Sequence, residues 1–394
     1  MKQRLLIVTR RFWPLCDESC YRLLRWASNL QRGGVEVTVL TSRWHSSWPA
    51  ESDCLEVKVV RLLPGPKSSW TETLFLRNIA SWIVKHRHHF DAIYVDESES
   101  LLHQIGSRSV RDKIPLIARY AGIVQSFANG LQSLSAISQA VDGCRQADQV
   151  IAPNAMAHRQ LQSSGVPAER IARIPDVSWS TMHYDPEIRR AAAESLRTIN
   201  QDMLLPKDTK LLLYVGAFDE NAGLEPLIKA AIAQLDKNRN FRLWLVGEGR
   251  AIANLHTIVK DAAQHHEILF HSVFDNLEEL FQVADAIVCP SPRAGNEFIL
   301  PTAIAAGIPI IALESSPYRN AMPSVLHPQL LKEATQPNFE IAIHDWLSDL
   351  ARWQDRAEIA RQEWVASNYI ENAAKQWMEL FKKCSNKSVA ESKD

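Results

Sequence analysis

The sequence offers little to a metal or a disulfide. Its six cysteines, Cys16, Cys20, Cys54, Cys144, Cys289 and Cys384, are scattered, and no pair has zinc-site spacing with partners. The scatter excludes a dense disulfide framework and fits reduced thiols in a cytosolic protein. Long apolar runs are missing too. The stretch after Lys2 is only Leu5 to Val8, too short for the core of a secretory leader. Nothing approaches the ~20 apolar residues that span a bilayer. No charge dominates: 44 Lys and Arg stand against 45 Asp and Glu, a formal net charge of −1, so a general attraction to nucleic acid is excluded. Low-complexity tracts are absent. Histidines cluster at His86, His88, His89 and at His265, His266, but no cysteine or carboxylate pattern accompanies them, so exposed surface rather than metal binding is expected. The acidic run Asp96 to Ser100 (DESES) reads as a solvated loop. The tail after Lys383 is polar and expected to be disordered.

What is present is a chain of 394 residues, enough for two or more domains with sizeable cores. Short apolar runs alternate with helical segments. The clearest instance is Asp285 to Leu313, DAIVCPSPRAGNEFILPTAIAAGIPIIAL. Ala286 to Cys289 is a strand that stops at Pro290-Ser291-Pro292, because proline lacks the N–H a central strand needs. Leu300 to Ala306 is a small apolar helix, Gly307 its C-terminal stop, and Ile310 to Leu313 a second buried strand. Together they predict a right-handed parallel βαβ unit. The loop Pro290 to Phe298 then lies at the carboxyl edge of the sheet, where open α/β folds bind ligands.

The same grammar runs through the rest of the chain. Arg4 to Thr9, Val35 to Thr41, Leu55 to Leu63, Ala92 to Val95 and Pro115 to Tyr120 read as strands. Tyr21 to Leu30 and Leu74 to His86 read as amphipathic helices. After a linker and helix from Ser178 to Gln201, strands resume at Lys210 to Val215, Phe241 to Val246 and Ile268 to His271. A helix from Trp364 to Phe381 closes the chain. Each half carries an Ala-Asp-x-apolar-Pro element, Ala147 to Pro153 and Ala284 to Pro290.

These stretches resemble glycosyltransferase family 4, retaining enzymes of the GT-B fold. Ala284-Asp285, Pro290-Ser291, Ala303, Ala305, Gly307, Pro309 and Ile311 match the family signature, and "GVEVTVLTSR" and "LWLVGEG" match its flanking strands. The resemblance implies an α/β chain of two Rossmann-like doubly wound parallel-sheet domains facing across a cleft, with a C-terminal helix returning to the first domain. The implied division is 1–177 on the acceptor side, 178–363 on the nucleotide-sugar side, 364–383 the closing helix and 384–394 the polar tail.

The departures from the family pattern fall at its working positions. Thr302 and Ala294 stand where the family has paired glutamates. Ala217 and Ala222 stand for the arginine and lysine that hold the donor diphosphate, although Gly216 and Gly223 are kept. Asp17 and Glu18 replace two glycines in the acceptor-side loop, Ala121 replaces a histidine, and the PNGVD segment is reduced to Pro175-Asp176-Val177. Replacements are on offer. Arg293 and Arg250 suit a phosphate, Glu297 or Glu18 a catalytic carboxylate, and Thr302 a ribose hydroxyl, with Gly216, Gly247, Glu248 and Ser291 completing a donor pocket. Each is equally readable as an ordinary loop or packing residue. Trp44, Trp48 and Trp70, among Arg43, His45 and Lys67, suit either a membrane interface or the packing of an insertion.

The expectation is therefore sugar transfer from a nucleotide-sugar to a glycan or lipid-linked acceptor in polysaccharide biosynthesis. It would proceed with retention, without metal or other cofactor, and weakened by the missing charges. The alternative is an inactive GT-B relative with a binding or regulatory role. The expected place is the cytoplasm, with a peripheral contact to the inner face of the membrane.

Overall fold

The short apolar runs form two separate sheets. The structure, a computed structural model, describes residues 3–15, 18–96, 99–120, 134–153, 155–174, 186–237, 240–260, 262, 265–272, 277–291, 298–314, 319, 322–367 and 375–384. The chain makes two compact units. One comprises Met1–Leu15, Cys20–Asp176 and Ile370–Asp394; the other comprises Val177–Tyr369 with Cys16–Ser19. Each unit is an α/β domain, and together they make the two-domain GT-B fold.

The strands of the first unit are β1 (Arg4–Val8), β2 (Glu36–Ser42), β3 (Glu51–Cys54), β4 (Val57–Leu62), β5 (Ala92–Asp96), β6 (Leu116–Arg119), β7 (Gln149–Ala152) and β8 (Ile171–Arg173). Their order is β3-β4-β2-β1-β5-β6-β7-β8. Every pairing is parallel except β3 with β4. Inner strands such as β1 are buried nearly throughout, which is why RLLIV is a continuous apolar run rather than an alternating one. The single strand expected over Leu55 to Leu63 is instead part of a hairpin. Leu55 and Glu56 turn the chain with φ of 47° and 68°, so Glu51–Cys54 folds back on Val57–Leu62. A two-residue turn of this type needs positive φ at both positions, and glycine or asparagine ordinarily marks it.

The solvated-loop reading of Asp96 is also corrected. Asp96 closes β5 and is 4% exposed. Its carboxylate takes an ion pair from Arg22 at 2.6 Å and a hydrogen bond from the Tyr94 hydroxyl at 2.6 Å. An apolar strand carries it inward, and the Arg22 cation on the helix Glu18–Arg32 compensates its charge. Residues 375–384 form a helix whose Trp377, Leu380, Phe381 and Cys384 are buried. The Trp377 ring lies 4.4 Å from that of Trp26 and 5.2 Å from that of Tyr94. Trp364, where the closing helix was expected to begin, belongs to the preceding helix Leu350–Ser367.

The strands of the second unit are β9 (Lys210–Val215), β10 (Phe241–Val246), β11 (Ile268–His271), β12 (Ala286–Cys289), β13 (Ile310–Leu313) and β14 (Leu330–Leu331). All pair in parallel, in the order β11-β10-β9-β12-β13-β14. The βαβ unit of the signature stretch has the expected form: β12, the helix Ile299–Ala306 and β13. Gly307 stops the helix at φ 67°. Trp346, fully buried on the helix Gln336–Ser348, meets Phe241 edge-on at 6.2 Å and anchors the core.

One device recurs in both sheets. Asp91, Asp148 and Asp285 each precede a parallel strand. Each donates its backbone N–H to a carbonyl of the neighbouring strand (Arg4 at 2.8 Å, Leu116 at 2.9 Å, Leu211 at 2.9 Å). Each carboxylate accepts the N–H of that same residue (2.8, 2.8 and 2.9 Å). An arginine then pairs with the carboxylate: Arg4, Arg111 and Arg189.

Candidate functional site

Strand order in the second unit reverses about β9. From β9 the chain builds outward to β10 and β11, and then returns to β9's other side for β12, β13 and β14. At such a switch point the loops leaving adjacent strands diverge and open a crevice at the carboxyl ends. The segments concerned are Gly216 to Gly223 after β9, Gly247 to Ala251 after β10, and Pro290-Ser291 after β12.

Glycine lets these loops touch. Gly247 stands at φ 156°, and a Cβ on it would lie 1.8 Å from the Gly216 carbonyl oxygen. At Gly223, φ 72°, a Cβ would lie 2.4 Å from the Pro290 carbonyl oxygen. The contacts are reinforced by hydrogen bonds. Gly216 N–H donates to Val246, Phe218 N–H to Glu248 and Ala251 N–H to Phe218. The Tyr214 hydroxyl donates to the Ala217 carbonyl at 2.8 Å and holds the first turn. Backbone approaches backbone closely along this edge.

Two helices begin there. Leu224–Leu235 starts at Gly223 and Ile299–Ala306 at Phe298, and neither has a side-chain cap. The positive end of a helix dipole is attractive to an anion. Thr302 is 1% exposed, and its hydroxyl has no hydrogen-bond partner among the described residues. A buried hydroxyl without a partner is costly and commonly marks a place where a ligand or water completes the bonding.

The sequence-predicted residues divide clearly. Gly216 and Gly247 touch each other at this edge. Ser291 and Thr302 are buried beside it, and Glu248 and Arg250 are exposed on the loop after β10. Arg250 has no ion pair among the described residues. Ala217 is exposed and Ala222 buried, so the two positions lacking cations stay uncharged. Arg293, Glu297 and Asp17 lie outside the described residues, as do Ala121 and Ala294. Glu18 opens the helix Glu18–Arg32, its side chain outside the description. Sequence reasoning missed Gly249, where a Cβ would lie 2.3 Å from the Phe218 carbonyl oxygen; its place in the Gly-x-Gly turn was the available signal.

In the first unit the order reverses between β1 and β5. Asp96 ends β5 there. Burial would push its carboxyl up, but Arg22 and Arg119, with hydrogen bonds from Tyr94 and Arg22, hold it below the ordinary carboxylate range. Burial and the Asp96 charge push the Tyr94 phenol well above its usual value, so it stays a neutral donor. Among the described residues no three His, Cys, Asp or Glu side chains are grouped to hold a metal, and no helix is long and apolar enough to cross a membrane. Of the histidines, His88 and His89 are exposed, and His86 stacks on Trp82 at 4.2 Å.

The comparisons with known proteins agree with this architecture. Residues 21–176 match the family model "Glycosyltransferase Family 4", and residues 209–359 match "Glycosyl transferases group 1". The colanic acid biosynthesis glycosyl transferase WcaI of Escherichia coli K12 is 29% identical over 139 residues, 35% of this chain and 32% of that protein. The matches to four curated relatives span only 27% to 39% of their own lengths. Among solved structures, Anabaena HepE in complex with UDP and glucose superposes with a TM-score of 0.70 at 14% identity, over 96% of this chain and 99% of that one. Sucrose-phosphate synthase from Thermosynechococcus elongatus gives 0.71 at 17% identity, over 97% and 99%.

Proposed function

The chain belongs to the family 4 and group 1 glycosyltransferases, and we propose that it moves a sugar from a nucleotide-sugar to a glycan or lipid-linked acceptor, with retention, without metal, and at a reduced rate. The observation that carries the reading is the glycine-built edge of β9, β10 and β12. It combines backbone contact at Gly216, Gly223 and Gly247, two helix N-termini and a Thr302 hydroxyl that is unpartnered among the described residues. Such an edge suits a diphosphate and a ribose. HepE binds UDP and glucose or UDP-glucose on a similar fold, which supports a uridine nucleotide as the first donor to try. Gly216, Gly247, Glu248, Arg250, Ser291, Arg293 and Thr302 are the donor residues of this reading. Glu297 or Glu18 is its catalytic carboxylate, and Asp17 and Glu18 form its acceptor-side loop. The site of action is the cytoplasm, at the inner face of the membrane when the acceptor is lipid-linked.

The reduced rate follows from charge. The leaving diphosphate gains negative charge in the transition state, and cations placed there are the usual means of stabilising it. Ala217 and Ala222 supply none. Each missing charge-assisted hydrogen bond is worth about 1.5–3 kcal/mol. The same two alanines favour a second reading, an inactive relative that keeps its binding edge. Thermal-shift titration with UDP and UDP-sugars, followed by NMR of the anomeric product, separates the two. Weak UDP binding with slow turnover and a retained anomer supports transfer, and Arg250→Ala should weaken that binding further. Binding without turnover supports the second reading, and absence of any nucleotide effect defeats both.

A further inference from the structure

In the first unit, Arg61 and Arg43 have no carboxylate partner among the described residues. Arg61, at the end of β4, is 3% exposed. Its guanidinium donates to the Ser52 hydroxyl at 2.7 Å, the Trp13 carbonyl at 3.0 Å and the Pro49 carbonyl at 3.5 Å, and its Nε has no partner among the described residues. Arg43 donates to the carbonyls of Trp48 at 2.5 Å and Ser46 at 2.7 Å. These acceptors satisfy N–H geometry but leave both charges uncompensated among the described residues. Among the described carboxylates of this side, Glu51 pairs with Lys58, Glu56 with Arg32 and Glu72 with Arg10, while Asp53 is exposed and pairs with neither arginine. Burial, with the repulsion of Arg43, lowers the Arg61 pKa, although Cys54 opposes the shift. A buried cation with only neutral partners is disfavoured unless an anion completes it.

Three tryptophans lie near the pair. The Arg61 guanidinium lies over the Trp13 ring, 5.6 Å from its centre. Trp48 packs against His45 at 4.9 Å, and the Trp44 indole N–H donates to the Arg10 carbonyl at 3.2 Å. Trp13, Trp44 and Trp48 are all half-buried, each held in place with part of its surface open. Trp13 also lies on the loop after β1, the strand at which the order of this sheet reverses.

We propose that Arg43 and Arg61, with Trp13, Trp44 and Trp48 nearby, form a subsite for an acidic saccharide, the guanidiniums taking a ring carboxylate or phosphate ester and the tryptophans the sugar faces. The subsite deepens the reading of this protein as a transferase acting on a glycan, and rests on it for the acceptor's identity. It assigns the acceptor a negative charge, a property that the donor edge of the second unit does not address.

Titration calorimetry without any nucleotide tests it, using tetragalacturonate, a phosphorylated maltotetraose, plain maltotetraose and inorganic phosphate. At least one acidic tetrasaccharide should bind tenfold or more tightly than maltotetraose and weaken as salt rises, and whichever binds identifies the anionic group. Arg43→Gln should reduce that affinity about tenfold, toward the neutral value. Arg61→Gln should do the same if it folds. Trp48→Ala, with circular dichroism as the control for folding, keeps the test independent of Arg61. Equal affinity for acidic and neutral tetramers, no acidic binding at all, or inorganic phosphate binding as tightly as the saccharides would each overturn the proposal. Donor turnover is measured separately, so failure here leaves the transfer reading standing, and failure of transfer leaves a measured saccharide affinity intact.

Discussion

At the scale of single residues, aspartate does two different kinds of work. Asp91, Asp148 and Asp285 fasten strand starts by exchanging hydrogen bonds with one residue of the neighbouring strand. This gives a physical reason for the Ala-Asp element that repeats in the two halves: it is a sheet fastener, whatever else the family motif implies. Asp285→Ala removes the acceptor for Leu211 N–H and leaves Arg189, 20% exposed, without its partner. A loss of about 2–3 kcal/mol in urea unfolding of the second unit is expected, since hydrogen bonds to charged groups contribute ~1.5–3 kcal/mol. Asp96 is different, a buried anion paired with a buried cation. Its folded pKa lies below its unfolded value, so its stabilisation is complete above the ordinary carboxylate range and disappears as pH falls through the folded value. Asp96→Asn should therefore lower stability at pH 7 by about 3–5 kcal/mol, because the buried Arg22 cation loses the carboxylate it pairs with. The variant should also lose part of the decline below about pH 4 that urea titrations of the parent protein will show. The sequence concealed this role because DESES looks uniformly solvated; only the apolar strand before Asp96 hints that the chain enters the sheet there.

At the scale of elements, the parallel strands were legible because each is a short apolar run with a proline, glycine or charged residue at its edge. Ala286–Cys289 and Ile310–Leu313 have the expected limits, and the helix between them begins one residue earlier than read. The β3–β4 hairpin was not legible. Leu55 and Glu56 occupy left-handed backbone without the glycine or asparagine that would announce a turn. Left-handed conformations cost an ordinary L-residue ~1–2 kcal/mol. Glu56 has only an exposed 3.8 Å pairing with Arg32 to lose, and such surface pairs contribute little. Glu56→Gly is therefore expected to raise stability by about 0.5–1 kcal/mol, measured as an upward shift of the urea midpoint at unchanged slope. The loops of the candidate site were half legible. Their glycines could be placed from the turns they make, while the contact of Gly247 with Gly216 and of Gly223 with Pro290 depends on strand order, which a linear pattern does not carry. Arg61 escaped notice for a related reason: within an expected strand, it looked like any charged residue on an exposed face.

At the scale of the whole molecule, the first unit is made from two distant pieces of chain. Trp377 is 7% exposed and packs on Trp26 and Tyr94, and Tyr94 in turn holds Asp96. Trp377→Ala should destabilise this unit by about 3–5 kcal/mol, the usual cost of deleting a large buried aromatic. Hydrogen exchange would show it as lost protection in β1 and β5, with β9 and β10 unchanged. The arrangement also sets an order of birth. A ribosome releases β1 to β8 first, yet the helix that covers Trp26 is made only after all of Val177–Tyr369 has emerged. At about 5–20 residues per second the delay is roughly 10–40 s. By the end of that interval the later unit has every strand it needs, while the earlier one still presents an uncovered indole to solvent. The first half of the polypeptide is thus the last to be finished.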